Sequence, residues 1–151
     1  MTDDQKKRLT ELVEKQKAFA REREISRIKA QMISEIANFS ERYVFADTVQ
    51  SGRLGAFAGG LPFVRPAWID VEKFRIRMAY SPNEADERRV WICFLSGSAE
   101  LFDIYVGCTA ADYFADFDDW QVYSSFTVLA YDDLSGFIFI DDNGGMTEII
   151  L

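Results

Sequence analysis

The chain has 151 residues, 48% of them hydrophobic and 15% aromatic, which is the length of one ordinary domain with ample core material. Thirteen Phe, six Tyr and three Trp exclude a disordered chain, and the lack of any His removes the Ser-His and Cys-His nucleophile systems and the commonest zinc ligand. The formal net charge of -8 is unevenly spread: all 17 basic residues fall in residues 1–89, whereas residues 90–151 carry 11 acids and no Lys, Arg or His.

Met1 to Arg8 is charged and no apolar stretch follows it, so no secretory signal is expected and the expected setting is the cytoplasm. No apolar run approaches the ~18 residues of a membrane span. Thr2-Asp3-Asp4-Gln5 reads as a helix start, with Thr2 as cap, Gln5 at the capping-box position and acids at the positive end of the dipole. Helix formers without Gly or Pro then run to about Phe39. Leu9, Leu12, Val13, Phe19 and Ala20 share one stripe, and Ile25, Ile28, Met32, Ile36 and Phe39 share another. At ~100° per residue the two stripes lie ~160° apart. Either the helix breaks near Arg21-Glu22-Arg23-Glu24 into a hairpin, or one rod buries different faces against different neighbours.

After Ser40 the pattern turns to strand and loop. Gly52 to Pro62 reads as an apolar, glycine-dense packed loop closed by Pro66; it lacks the Gly-Lys-Ser/Thr ending of a phosphate-binding loop. Val71 to Tyr80 alternates as a half-buried strand, and Ser81-Pro82-Asn83 opens a polar turn that ends at Arg88-Arg89. Val90 to Leu95 reads as a central strand, joined by Ser96-Gly97-Ser98 to a strand over Leu101 to Val106. Thr109 to Phe117 fits a short helix capped by Thr109. Strands follow at Tyr123 to Tyr131, Gly136 to Ile140 and Met146 to Ile150, the last two joined by the hairpin signal Asp141-Asp142-Asn143-Gly144-Gly145. The expected architecture is one α+β domain: a helical segment over 1–39, long helix or hairpin, then a sheet-rich body over 40–151, mainly antiparallel, with one short inserted helix.

Cys93 and Cys108 sit in apolar strand-like segments without a neighbouring cation, which fits two buried, unreactive thiols better than a disulfide or a zinc site. Carboxylates are the remaining catalytic candidates, and a metal-dependent hydrolase is the reading they would support. The Asp141–Gly145 segment has consecutive acids where a calcium loop needs alternate ones, so turn chemistry accounts for it. No metal or cofactor is expected. The basic residues of the first helix are interspersed with Glu11, Glu14, Glu22 and Glu24, as on a solvated, salt-bridged face, so nucleic acid is not the expected partner.

The acidic half is the informative feature. Some of its charge is expected to pair with Lys73, Arg75, Arg77, Arg88 and Arg89 across the sheet. Ala111 to Trp120, however, packs four aromatics and four Asp into ten residues, more rings than one short helix buries on a single face. Rings within an acidic rim suit a basic protein partner: rings anchor, carboxylates steer. The candidate binding residues are Asp112, Tyr113, Asp116, Phe117, Asp118, Asp119 and Trp120, assisted by Asp132, Asp133, Asp141 and Asp142. The design is analogous to that of bacterial immunity proteins, which neutralise nuclease-type toxins by covering a basic surface. The alternative is a structural or adaptor subunit that assembles, with itself or with others, through the N-terminal helix.

Overall fold

The computed structural model describes residues 1–61 and 75–151. Helix α1 runs unbroken from Asp3 to Glu35, 33 residues and therefore ~50 Å. Its start is the expected capping box: the Gln5 amide donates to the Thr2 hydroxyl at 3.3 Å, and the Thr2 amide donates to the Gln5 side-chain oxygen at 3.0 Å. No break occurs near Arg21–Glu24, so α1 is one continuous rod and the hairpin does not form, although the rod does not bury both stripes within the chain. Only the second stripe is buried within the chain, through Ile28 and Met32 and, beyond the helix, Ile36 and Phe39. Leu9, Leu12, Val13 and Phe19 are exposed. The helix stops four residues earlier than expected because Ile36 turns into extended backbone and Asn38 takes a left-handed conformation, φ 55°, which Asn tolerates. Phe39–Arg42 then forms the short α2.

Strand β1 is Val44–Phe45, and α3 spans Thr48–Gly60. That helix corrects the loop expected over Gly52–Pro62. Asp47 caps it by accepting from the Gln50 amide at 2.8 Å, and Leu54, fully buried, packs with Phe57 and Leu61 onto the sheet. Gly55 has a specific reason: a Cβ there would stand 3.3 Å from the Tyr105 hydroxyl. Burial at one helix face thus overrides the weak helix propensity of four glycines, ~1 kcal/mol each relative to Ala.

Strand β2 is Arg75–Ala79; the expected strand residues 71–74, and Pro62 and Pro66 of the expected loop, lie outside the described residues. Strand β3, Arg89–Phe94, pairs antiparallel with β4, Tyr105–Thr109. The strand expected from Leu101 begins only at Tyr105, since Ala99–Asp103 forms a 3-10 turn that sinks Leu101 into the core. One inserted helix was expected and two occur, α4 at Ala110–Ala115 and α5 at Phe117–Gln121, separated at Asp116 where φ -108° and ψ 23° leave helical geometry. The Thr109 cap is present, its hydroxyl accepting from the Asp112 amide at 3.1 Å. Strand β5 is Thr127–Tyr131, four residues shorter at its start than expected, because Ser124 to Phe126 tie to Ser96 instead. Strands β6, Gly136–Ile140, and β7, Met146–Ile150, fall as expected.

Among the described residues the sheet has seven strands in the order β1-β4-β3-β5-β6-β7-β2, and each of these pairings is antiparallel. Helices cover both faces. The second half of α1, with α2, α4 and α5, covers the face bearing Val90, Ile92, Phe94, Val106, Leu129 and Ile138; α3 covers the face bearing Tyr105, Val128, Phe137 and Phe139. Cys108 belongs to the first face and Cys93 to the second, so the sheet itself separates the two free thiols. The α+β class is as expected. No helix among the described residues is long and apolar enough to cross a membrane.

Candidate functional site

Strand register divides the loops between two ends of the sheet. One end, near the start of β3, carries the β5–β6 turn and the start of α4, since Arg89 pairs with Thr109 and Val90 with Tyr131. The opposite end carries the 3-10 turn, α5 and the β6–β7 turn; Phe94 there pairs with Thr127, Thr127 with Ile140, and the Phe94 ring lies 6.0 Å from that of Trp120. The expected binding residues are therefore not one patch. Asp112, Asp132 and Asp133 belong to the first end; Asp118, Asp119, Asp141 and Asp142 belong to the second.

Two of the proposed anchoring rings are core. Tyr113 is fully buried and Trp120 is 1% exposed. Trp120 packs against Phe39, Tyr43, Phe94 and Tyr123, and Phe117 is half-buried against Tyr113 and Phe114. Four rings in ten residues are accommodated because α4 and α5 bend at Asp116, giving two short faces where one was expected. Truncating Trp120 would cost about 3–5 kcal/mol of stability, so its place is in the fold and not at a partner's surface.

Asp116 and Asp112 are engaged inside the chain. The Arg42 guanidinium pairs with the Asp116 carboxylate and approaches Asp112 at 3.9 Å. The Tyr43 hydroxyl donates to Asp116 at 2.5 Å, and burial raises the Tyr43 pKa. This node fixes the α4–α5 bend to the end of α2, at Arg42 and Tyr43. Asp132 accepts from the Trp91 indole at 2.8 Å, Asp133 from the Ser135 amide at 3.0 Å, and Asp141 from the Asn143 and Gly145 amides at 2.9 and 2.8 Å. The last is the turn chemistry expected of the hairpin, completed by Gly144 at φ 78°. Asp118, Asp119 and Asp142 are exposed, and no ion pair among the described residues involves them.

Their end of the sheet gathers further acids. Glu100 and Asp103 lie on the 3-10 turn, and Arg21 of α1 pairs with Asp103. Glu35, at the end of α1, accepts from the Tyr123 hydroxyl at 2.8 Å. Two apolar side chains stand exposed on these same elements, Phe102 on the 3-10 turn at 45% and Val122 after α5 at 77%. Sequence reasoning missed both, since Phe102 fell in an expected strand and Val122 between expected elements.

A second polar cluster was also missed. The segment from Tyr80 to Arg88 crosses from edge strand β2 to inner strand β3 over the α4 face; the Ala111 amide donates to the Asp86 carbonyl at 2.8 Å, and Tyr80 stacks on Phe114 at 5.4 Å. Arg88 donates to both Asp86 oxygens, at 3.0 and 2.8 Å, and to Tyr131 and Glu148, each at 3.0 Å. Tyr80 donates to Asp86 at 2.6 Å. The Arg88 hydrogen bonds hold the Asp86 carboxyl down at about 2 against the opposing effect of burial, while burial pushes the Tyr80 hydroxyl up to about 12. The Arg88–Glu148 pair is the cross-sheet neutralisation expected of Arg88. Only the Arg88-Arg89 doublet marked this cluster in the sequence.

For chemistry, burial pushes both thiols up to about 12, which makes them poor nucleophiles. Among the described residues, no three His, Cys, Asp or Glu side chains converge as a metal site. No protein-family model, curated protein or solved structure matches the chain.

Proposed function

We propose that the protein acts by binding a basic protein partner at the acidic end of its sheet, as an immunity protein covers the substrate surface of a nuclease-type toxin. The observation that carries this reading is the placement of exposed Phe102 and Val122 on elements that also present Glu100, Asp118 and Asp119, with Asp142 on the β6–β7 turn at the same end of the sheet. Apolar side chains within an acidic rim provide desolvated contact, while the rim accelerates encounter and sets register. The rim sits on short elements anchored by Leu101 and Trp120 in the core, so little ordering accompanies binding. Relative to the residues expected from sequence, the surface keeps Asp118, Asp119, Asp141 and Asp142 and replaces Tyr113 and Trp120 by Phe102 and Val122.

Co-purification with mass spectrometry identifies the partner, and binding kinetics with that partner test the surface. Asp118→Lys with Asp119→Lys lowers the on-rate and flattens its salt dependence, because exposed charges are screened within about 8–10 Å at 0.1–0.15 M salt. Val122→Ala raises the off-rate. Normally folded charge-reversal variants that bind with unchanged rate and salt dependence would refute the acidic end as the interface.

A further inference from the structure

Every residue from Met1 to Arg23 is exposed. Among the described residues the body grips α1 from one side, through Arg21 on Asp103 and through Ile25, Ile28 and Met32 in the core. Leu9, Leu12, Val13 and Phe19 are 52%, 57%, 39% and 68% exposed and lie on the opposite side of the rod, ~160° away. Most helix stability in proteins comes from packing an apolar face, which these first six turns lack within their own chain.

We propose that the arm of one copy, residues 3–23, covers the arm of a second copy in an antiparallel pair about a twofold axis near Glu14. Three features of α1 select this occupant and this direction. First, the apolar positions Leu9, Leu12 and Phe19 fall on the alternating three- and four-residue spacing of a two-helix seam, a series that Gln16 and Arg23 complete with polar side chains. In the antiparallel register Leu9 meets Phe19 of the second copy, Leu12 meets Gln16, and Val13 flanks the axis. Second, the flanking charges match themselves: Arg8 faces Glu22 of the second copy on both sides of the axis, and Lys15 opposite Lys15 is the single like-charged contact. Third, each chain carries a formal net charge of -8. A parallel pair would bring both bodies to one end of the seam and would ask Arg27, already paired with Glu24, to meet Glu22. The antiparallel pair sets the bodies at opposite ends of a seam ~30 Å long, beyond the ~8 Å screening length at physiological salt. Since the contact side of each arm faces away from its own body, the bodies do not obstruct the seam.

The seam covers roughly 500 Å² per copy, half the lateral surface of a cylinder ~30 Å long and ~10 Å across, against ~800 Å² a side in a standard interface. The dimer is therefore a weak one, with dissociation in the micromolar range. This inference concerns a different surface from the acidic end and stands or falls apart from it.

Sedimentation velocity of the full chain between about 5 and 500 μM tests it, this range bracketing a micromolar dissociation constant. The expected result is a concentration-dependent shift from monomer to dimer. Arg8→Glu and Glu22→Arg each weaken the dimer about fivefold, as the loss and reversal of two exposed pairs implies, and the double variant restores it. Lys15→Gln tightens it. Leu9→Asp, at an exposed site that leaves the melt unchanged, abolishes it. Direction is read by disulfide formation: a mixture of Leu12→Cys and Gln16→Cys chains cross-links faster than either alone, with little background because Cys93 and Cys108 are buried. A chain that stays monomeric throughout overturns the proposal. So does efficient self-linking of each cysteine variant without preference for the mixture, which is the parallel outcome.

Discussion

Replacing Asp86 by Asn tests whether the segment from Tyr80 to Arg88 is locked onto the sheet by charge. Arg88 grips the Asp86 carboxylate with two nitrogens, and the Asp86 side chain is only 9% exposed. The carboxyl is held at about 2, against ~3.9 in an unfolded chain, a gap worth about 2–3 kcal/mol at neutral pH. Arg88 is 47% exposed, so solvent screening trims the expected loss in Asp86→Asn to about 2 kcal/mol. A carboxyl depressed on folding stabilises above its unfolded pKa and loses that contribution as pH falls through its folded value. The difference between native chain and variant should thus be complete above pH ~5, about half at pH 3, and nearly gone at pH 2. Urea titrations at these pH values measure it. A difference below about 0.5 kcal/mol at pH 7, or one that does not shrink between pH 7 and pH 3, would refute the reasoning.

Two further outcomes are expected. A chain beginning at Arg21 keeps the Arg21–Asp103 pair and every buried residue of α1, so at low concentration its melting temperature stays within about 2 °C of the full chain by circular dichroism; loss of the cooperative melt would make the arm part of the core. Gly107→Ala places a Cβ 2.8 Å from the Trp91 ring, which Asp132 pins through the indole nitrogen, so denaturant titration should show a loss of about 1–3 kcal/mol.

Much of this fold was legible because its signals are local. The Thr2 capping box, the Asp141–Gly145 hairpin, the Thr109 cap and the strands at Gly136–Ile140 and Met146–Ile150 each depend on residues within a few positions of one another. The failures required distant partners. Gly52, Gly55, Gly59 and Gly60 disfavour a helix locally, and only Leu54 and Phe57 meeting the second face of the sheet reverse that local preference. Leu101 reads as a strand residue until the core beneath the 3-10 turn claims it. The candidate site suffered likewise: an aromatic run between Asp residues looks the same whether its rings point outward or, as with Tyr113 and Trp120, inward.

Charge gives the sharpest case of what the linear chain conceals. Along the sequence the acids after Val90 have no cation beside them, yet the fold brings cations from the first half to meet several of them. Arg21 reaches Asp103 across 82 positions, Arg88 reaches Glu148 across 60, and Arg42 holds Asp116. Asp132 and Asp133 instead serve an indole and a turn amide. Those neutral donors leave the charges of exposed Asp132 and Asp133 in place, so the uncompensated charge is narrower than the sequence asymmetry suggests and divides between the two ends of the sheet, with Glu100, Asp118, Asp119 and Asp142 at the second. Reversing Asp116 would therefore disturb the Arg42–Tyr43 node and lower stability, and any lost binding would be ambiguous. Reversing Asp118 and Asp119 alters only exposed carboxylates that pair with no cation among the described residues, so a changed on-rate in that variant reports on steering.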